Sequence, residues 1–165
     1  MSESSRCASA TGSIRGRALG RVVLGRTRAA ERRAFPSFDR RRAGVDRFCF
    51  VGGGHIRIGY MTDRKLARFA RRPRRGDRAV LILTTSRRYA LRGVKHGTRV
   101  RTLRRRFRGA RSFRIGRNRW YVARGRKARM VFKTRRGRVE EVGIAEKGPT
   151  RTARRAKRFL RSFPG

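Results

Sequence analysis

Residues 46–62 read DRFCFVGGGHIRIGYMT, and their alternation decides the fold. Phe48 and Phe50 alternate with Arg47 and Cys49, and Ile56, Ile58 and Tyr60 alternate with Arg57 and Gly59. A period of two puts the two sets of side chains on opposite faces of a strand. Gly52-Gly53-Gly54 between the runs gives the backbone freedom a tight turn needs. The stretch therefore predicts an antiparallel hairpin with one buried and one wet face. A phosphate loop at the three glycines would need a helix N-terminus after them, and an alternating strand follows instead.

The pattern returns at an offset of 72: residues 118–134, NRWYVARGRKARMVFKT, lie over 46–62, and 94–107 lie over 22–35. Over 22–62 against 94–134, 11 of 41 positions are identical, five of them Arg. Each half runs glycine, helical stretch, Phe, polar loop, strand, turn, strand. Thr27 is the expected cap of the first helix and Thr98 of the second. Further strands are expected at 79–85, AVLILTT, whose unbroken apolar run predicts cover on both faces, and at 138–145. A closing helix starts at Thr150 or Thr152 and carries Ala153, Ala156, Phe159, Leu160 and Phe163 on one stripe. The fold class expected is α+β: two tandem helix-plus-antiparallel-sheet units with a C-terminal amphipathic helix. The divisions are a disordered N-terminus at 1–18, unit 1 at 19–86 with a helical insert at 63–78, unit 2 at 87–146, and the helix at 150–163.

The 165 residues hold 50 Lys and Arg against 9 Asp and Glu, a net charge of +41, and 44 of the 50 are Arg. Guanidinium forks onto phosphate and carboxylate and is weakly hydrated, so a polyanion partner is the functional reading. Codon bias in a GC-rich genome is the other reading of the Arg preference, but it leaves the excess of base over acid in place. The clusters are Arg40, Arg41 and Arg42; Arg71, Arg72, Arg74 and Arg75; and Arg104, Arg105 and Arg106, all expected to contact polyanions. No apolar run approaches 18 residues, so no membrane-spanning helix is expected. Two Cys allow one disulfide at most. Cys49 between two Phe reads as a buried strand thiol. His55 and His96 lack a third ligand at metal spacing. Glu140 and Glu141, adjacent on a strand, point to opposite faces and make no acid/base pair. No catalytic residue, metal or cofactor is read.

The run Gly25-Arg26-Thr27-Arg28-Ala29-Ala30 resembles the opening of SmpA/OmlA-type proteins, the small outer-membrane-assembly lipoproteins. Asn118-Arg119-Trp120-Tyr121-Val122 and the strands after it are similar to that family's aromatic strand and final strand pair. Two such units in tandem look like the β-lactamase inhibitor protein. The family's Gly-x-Pro after the first helices, its lipobox and its charge are absent. The resemblance implies a non-catalytic, protein-binding, usually extracytoplasmic module. No signal peptide is read in residues 1–20, which is cytoplasmic at face value; the likeness points outside if the start is mis-assigned or truncated.

The expectation is thus a strongly cationic binding module for a protein partner or an anionic envelope polymer. Its surface would be the uncovered sheet face with Arg57, Arg119, Tyr121, Arg129 and Lys133. The alternative is a sequence-nonspecific nucleic-acid-binding protein, since no helix-turn-helix, zinc-finger or aromatic RNA-binding signature is present.

Overall fold

The computed structural model describes residues 7–35, 40–42, 44–61 and 77–163. Three two-residue strands, β1 (Ile14–Arg15), β2 (Ala18–Leu19) and β3 (Val22–Val23), form a small antiparallel sheet. Helix α1 (Arg28–Arg33) follows, then β4 (Arg40–Arg42), β5 (Val45–Cys49), β6 (His55–Met61) and β7 (Arg78–Thr84). Helix α2 (Val100–Arg106) leads into β8 (Arg111–Ile115), β9 (Asn118–Ala123), β10 (Arg129–Arg135) and β11 (Arg138–Ala145). A 3-10 turn at Gly148–Thr150 precedes α3 (Ala153–Arg161).

Strands β4 to β11 make one antiparallel sheet in the order β4-β5-β6-β7-β11-β10-β9-β8. Its centre is RAVLILT, β7, whose apolar run is buried on both faces as the sequence predicts. Ile58 pairs with Ile82 and Ile82 with Ile144 on one face, while Arg57 pairs with Leu83 and Leu83 with Gly143 on the other. A methyl group on Gly143 would overlap the Ile82 carbonyl, so the central pairing of β11 with β7 needs a residue without Cβ.

One apolar cluster joins Phe48, Ile58, Ile82, Tyr121 and Phe132 of the sheet to Leu19, Val22, Phe35, Leu103 and Phe107 from the small sheet, α1, α2 and their flanks. The other joins Leu83, Phe113, Trp120, Val122 and Val131 to Ala156, Phe159 and Leu160 of α3. Trp120 and Tyr121 are neighbours on β9 and both are buried, one in each cluster. Ala156, Phe159, Leu160 and Phe163 of the α3 stripe dock as their spacing predicts, whereas Ala153, expected on the same stripe, is exposed in the first turn. Phe163 lies against Gly59, where an added Cβ would come within 2.6 Å of its ring.

The α+β expectation of two tandem units is corrected: the chain is mostly β, not a helix-plus-sheet repeat. The strands of both halves join through β7 and β11 into a continuous sheet, and the helices before β4 and β8 hold six and seven residues. The lead-ins differ as well: Val22 belongs to a three-stranded sheet, whereas Val94 makes only an isolated bridge with Leu91. The N-terminus expected as disordered over 1–18 is tied down from Cys7 on. Ala8 bridges Phe50, Thr11 N–H donates to the Tyr89 hydroxyl at 3.1 Å, and Cys7 is disulfide-bonded to Cys49. Cys49 is therefore not a free thiol. Thr27 accepts from Ala30 N–H and caps α1 as expected; Thr98 instead accepts from Lys95 N–H, and α2 has no side-chain cap. Thr152 caps α3 by accepting from Arg155 N–H. The insert at 63–78 lies outside the described residues except for Asp77 and Arg78.

Candidate anion-binding surface

The acids decide where free positive charge remains. Six acids lie among the described residues, and five of them make ion pairs. Asp46 on β5 accepts from Arg28 at 2.7 Å and from Arg32 at 2.8 Å, both from α1. Burial alone would raise its pKa, but the two guanidiniums outweigh that and hold the carboxyl below its usual range. Glu31 accepts from Val23 N–H at 3.1 Å and lies beside Arg26, yet burial wins there and pushes its pKa up. Arg17 donates to both oxygens of Glu146, fastening the small sheet to the end of β11.

The most enclosed group joins three strands. Glu141 on β11 accepts from Arg57 of β6 at 2.8 Å and from Lys133 of β10 at 3.3 Å. Burial opposes its charge, but Arg57 and Lys133 overcome this and lower the pKa. Lys133 also lies 3.7 Å from Glu140 and 6.0 Å from the Trp120 ring centroid. The predicted wet face is thus not wet. Arg57 and Lys133, expected on the binding surface, are 9% and 4% exposed and hold the sheet together. Of the predicted surface Tyr121 is buried too, and only Arg119 is exposed, with its guanidinium donating to Ser112 Oγ at 3.2 Å.

Arg129, half-buried, reaches a different place. It lines a groove of about 560 Å³ between the C-terminal end of α2, the loop into β8, and the ends of β9 and β10. Arg92, Arg106, Arg108, Arg111 and Arg124 share that lining, which contains no acid. Arg106 donates to the Arg92 carbonyl at 2.9 Å, and Arg111 donates to the Arg151 carbonyl. Arg129 Nε is shut off from solvent and has no acceptor. A second hollow of about 470 Å³ shares Phe107, Arg108 and Ala110 with the first and is lined by Arg104, Arg105, Ser112 and the edge of buried Tyr121. Two predicted polyanion contacts, Arg104 and Arg105, therefore lie beside the groove, and Arg106 lies in it. Arg40, Arg41 and Arg42 form β4 at the opposite edge of the sheet; Arg71, Arg72, Arg74 and Arg75 lie outside the described residues.

Arg92, Arg108, Arg111 and Arg124 were not picked out by cluster or alternation. A signal for them exists: residues 78–139 hold 23 Lys and Arg and no Asp or Glu. That stretch builds α2 and β8 to β10, so this end of the sheet has no acid of its own to neutralise it. His96 Nδ1 donates to the Glu140 carbonyl at 2.7 Å, and among the described residues no three His, Cys, Asp or Glu side chains gather as a metal site would need. No helix among these residues is long and apolar enough to cross a membrane. Compared with family models, curated proteins and solved structures, the chain matches none.

Proposed function

We propose that this protein is a non-catalytic module that binds an anionic polymer through the groove and the arginines around α2, β8 and β9. The observation that carries the reading is the distribution of acids. Five of the six acids among the described residues are ion-paired, and the stretch 78–139, which supplies every lining residue of the groove except Thr150, has none. Guanidiniums with no internal counter-charge gain most from phosphate or carboxylate groups brought by a partner. The Cys7–Cys49 disulfide favours an oxidising compartment, hence a polymer of the cell envelope. The SmpA/OmlA-like stretches at 25–30 and 118–122 point the same way.

Sequence-blind binding to nucleic acid is the competing reading, favoured by the same charge. Groove shape distinguishes the two. A flexible single-file polyanion can bend into a concave groove of about 560 Å³, whereas a duplex, stiff over about 50 nm, cannot curve to follow it. The test is a salt titration of the full chain on poly(glycerol phosphate) and on duplex DNA of matched charge. Both should show log affinity falling linearly with log salt. Tighter binding to poly(glycerol phosphate) above 0.2 M salt (about the upper end of the range where phosphate contacts still dominate) supports the proposal. Equal affinities, or a preference for DNA, overturn it.

A further inference from the structure

We propose that the groove holds a discrete site for a dianionic phosphate monoester of a small polar molecule, such as a sugar phosphate, gripped by Arg111, Arg124 and Arg129. This deepens the polyanion reading and rests on it, because it names the group the groove selects: the monoester at a polymer's phosphorylated end, which carries the second charge that internal diester links lack.

Four observations converge. The groove, at about 560 Å³, lies in the ~300–1,000 Å³ range of small-molecule sites and far exceeds a bare phosphate. Arg129 lines the groove half-buried, and its Nε, closed to solvent, has no acceptor within the fold, so no internal partner neutralises this guanidinium. Arg111 and Arg106 are steadied by main-chain carbonyls, which fixes their guanidiniums while leaving other N–H groups for a ligand. Finally, the neighbours of Arg129 are cations: burial first, then Arg124, Arg111 and Arg151, make its charge harder to hold and lower its pKa. Like charges crowded around one half-buried guanidinium, with no carboxylate in the lining, are stabilised by an anion between them.

The number and charge of the oxygens select the ligand. A carboxylate has two oxygens and one charge, enough for a single guanidinium fork. A phosphate monoester presents three terminal oxygens and close to two charges to three guanidiniums. The rest of the groove leaves room for the group esterified to it. The small molecule alone and the phosphorylated end of a longer polymer share this chemistry.

Calorimetric titration of the full chain separates the possibilities, with glucose 1-phosphate, inorganic phosphate, glucuronate and poly(glycerol phosphate) as probes. Saturable one-to-one binding of glucose 1-phosphate, tighter than inorganic phosphate and much tighter than glucuronate, is the expected result. R124Q and R129Q should each weaken it roughly ten- to hundredfold, the loss of a charged hydrogen bond. R117Q, in the β8–β9 turn outside the groove, removes the same charge and should change it less than about twofold. Arg124 is exposed, so R124Q tests the site without disturbing the core. Equal losses in R117Q and R124Q, or glucuronate binding as tightly as the monoester, overturn the site. Inorganic phosphate binding as tightly overturns the ester. If the polymer binds and glucose 1-phosphate does not, this site fails and the broader reading stands; if neither binds, both fall.

Discussion

Replacing Glu141 by Gln removes the negative charge on which β6, β10 and β11 converge. The Arg57 contact is 2.8 Å and the Lys133 contact 3.3 Å, with all three side chains at least nine-tenths buried. At an effective dielectric constant of about 20, such contacts correspond to roughly 5–6 kcal/mol of attraction each. Desolvation already offsets much of that in the native protein, and Lys133 retains Glu140 at 3.7 Å. The net cost of leaving two buried cations on a neutral amide should therefore be about 3–5 kcal/mol. For a domain of this size that corresponds to a fall in Tm of about 6–20 °C. Trp120, the sole Trp, is buried beside Lys133 and reports unfolding by fluorescence. Urea unfolding at 0.3 M salt (about three times the ionic strength at which the Debye length is ~10 Å) limits repulsion among the surface arginines. A loss under about 1 kcal/mol with an unchanged m-value would refute the reasoning, because the triad would then be open to water. The double variant E141L/R57L, which removes charge from both sides, should recover more than half of the loss.

Asp46 and Glu31 should respond to pH with opposite signs. The folded pKa of Asp46 is depressed, so its stabilisation is present above the ordinary value near 3.8 and disappears as pH falls through the folded value; D46N should flatten the acid limb of a Tm-against-pH curve. The folded pKa of Glu31 is raised, so its ionised form opposes folding, and stability from this group falls as pH rises through that value. E31Q keeps an acceptor for Val23 N–H and should leave Tm at pH 7 unchanged or higher; a large drop there would contradict the assignment. Reducing the Cys7–Cys49 link, which spans 42 residues, should cost about 4 kcal/mol on the chain-entropy estimate, seen as a lower Tm with dithiothreitol. Sodium sulfate should raise Tm through anion binding and screening of a net charge of +41, whereas ion-pair weakening alone would lower it.

What could be read in the sequence was what repeats over several residues. Alternation located the β5–β6 and β9–β10 hairpins, the apolar run located β7, and the period of α3 located its buried stripe. Strands β1 to β3 have two residues each, too few for a period, and sit among Ser, Gly and Arg where disorder is the natural expectation. Alternation also failed to show which polar faces are covered. Arg57 and Lys133 look like wet-face residues until Glu141, 84 positions from Arg57, is brought between them. The groove was hidden for the same reason. Arg92, Arg111, Arg124 and Arg129 are unremarkable singly in a chain with 44 Arg, and only the order β10-β9-β8 beside the end of α2 gathers them.

Strand β8 ends the sheet with Arg111, Ser112 and Arg114 exposed along it. Charge on an edge strand keeps sheets of separate molecules from zipping together. Here that safeguard is of a single sign, so whatever neutralises the edge also disarms it. An anionic chain that saturates these arginines leaves neighbouring copies side by side with their edges unguarded. Mixtures near charge balance should therefore turn cloudy and clear again when either component is in excess.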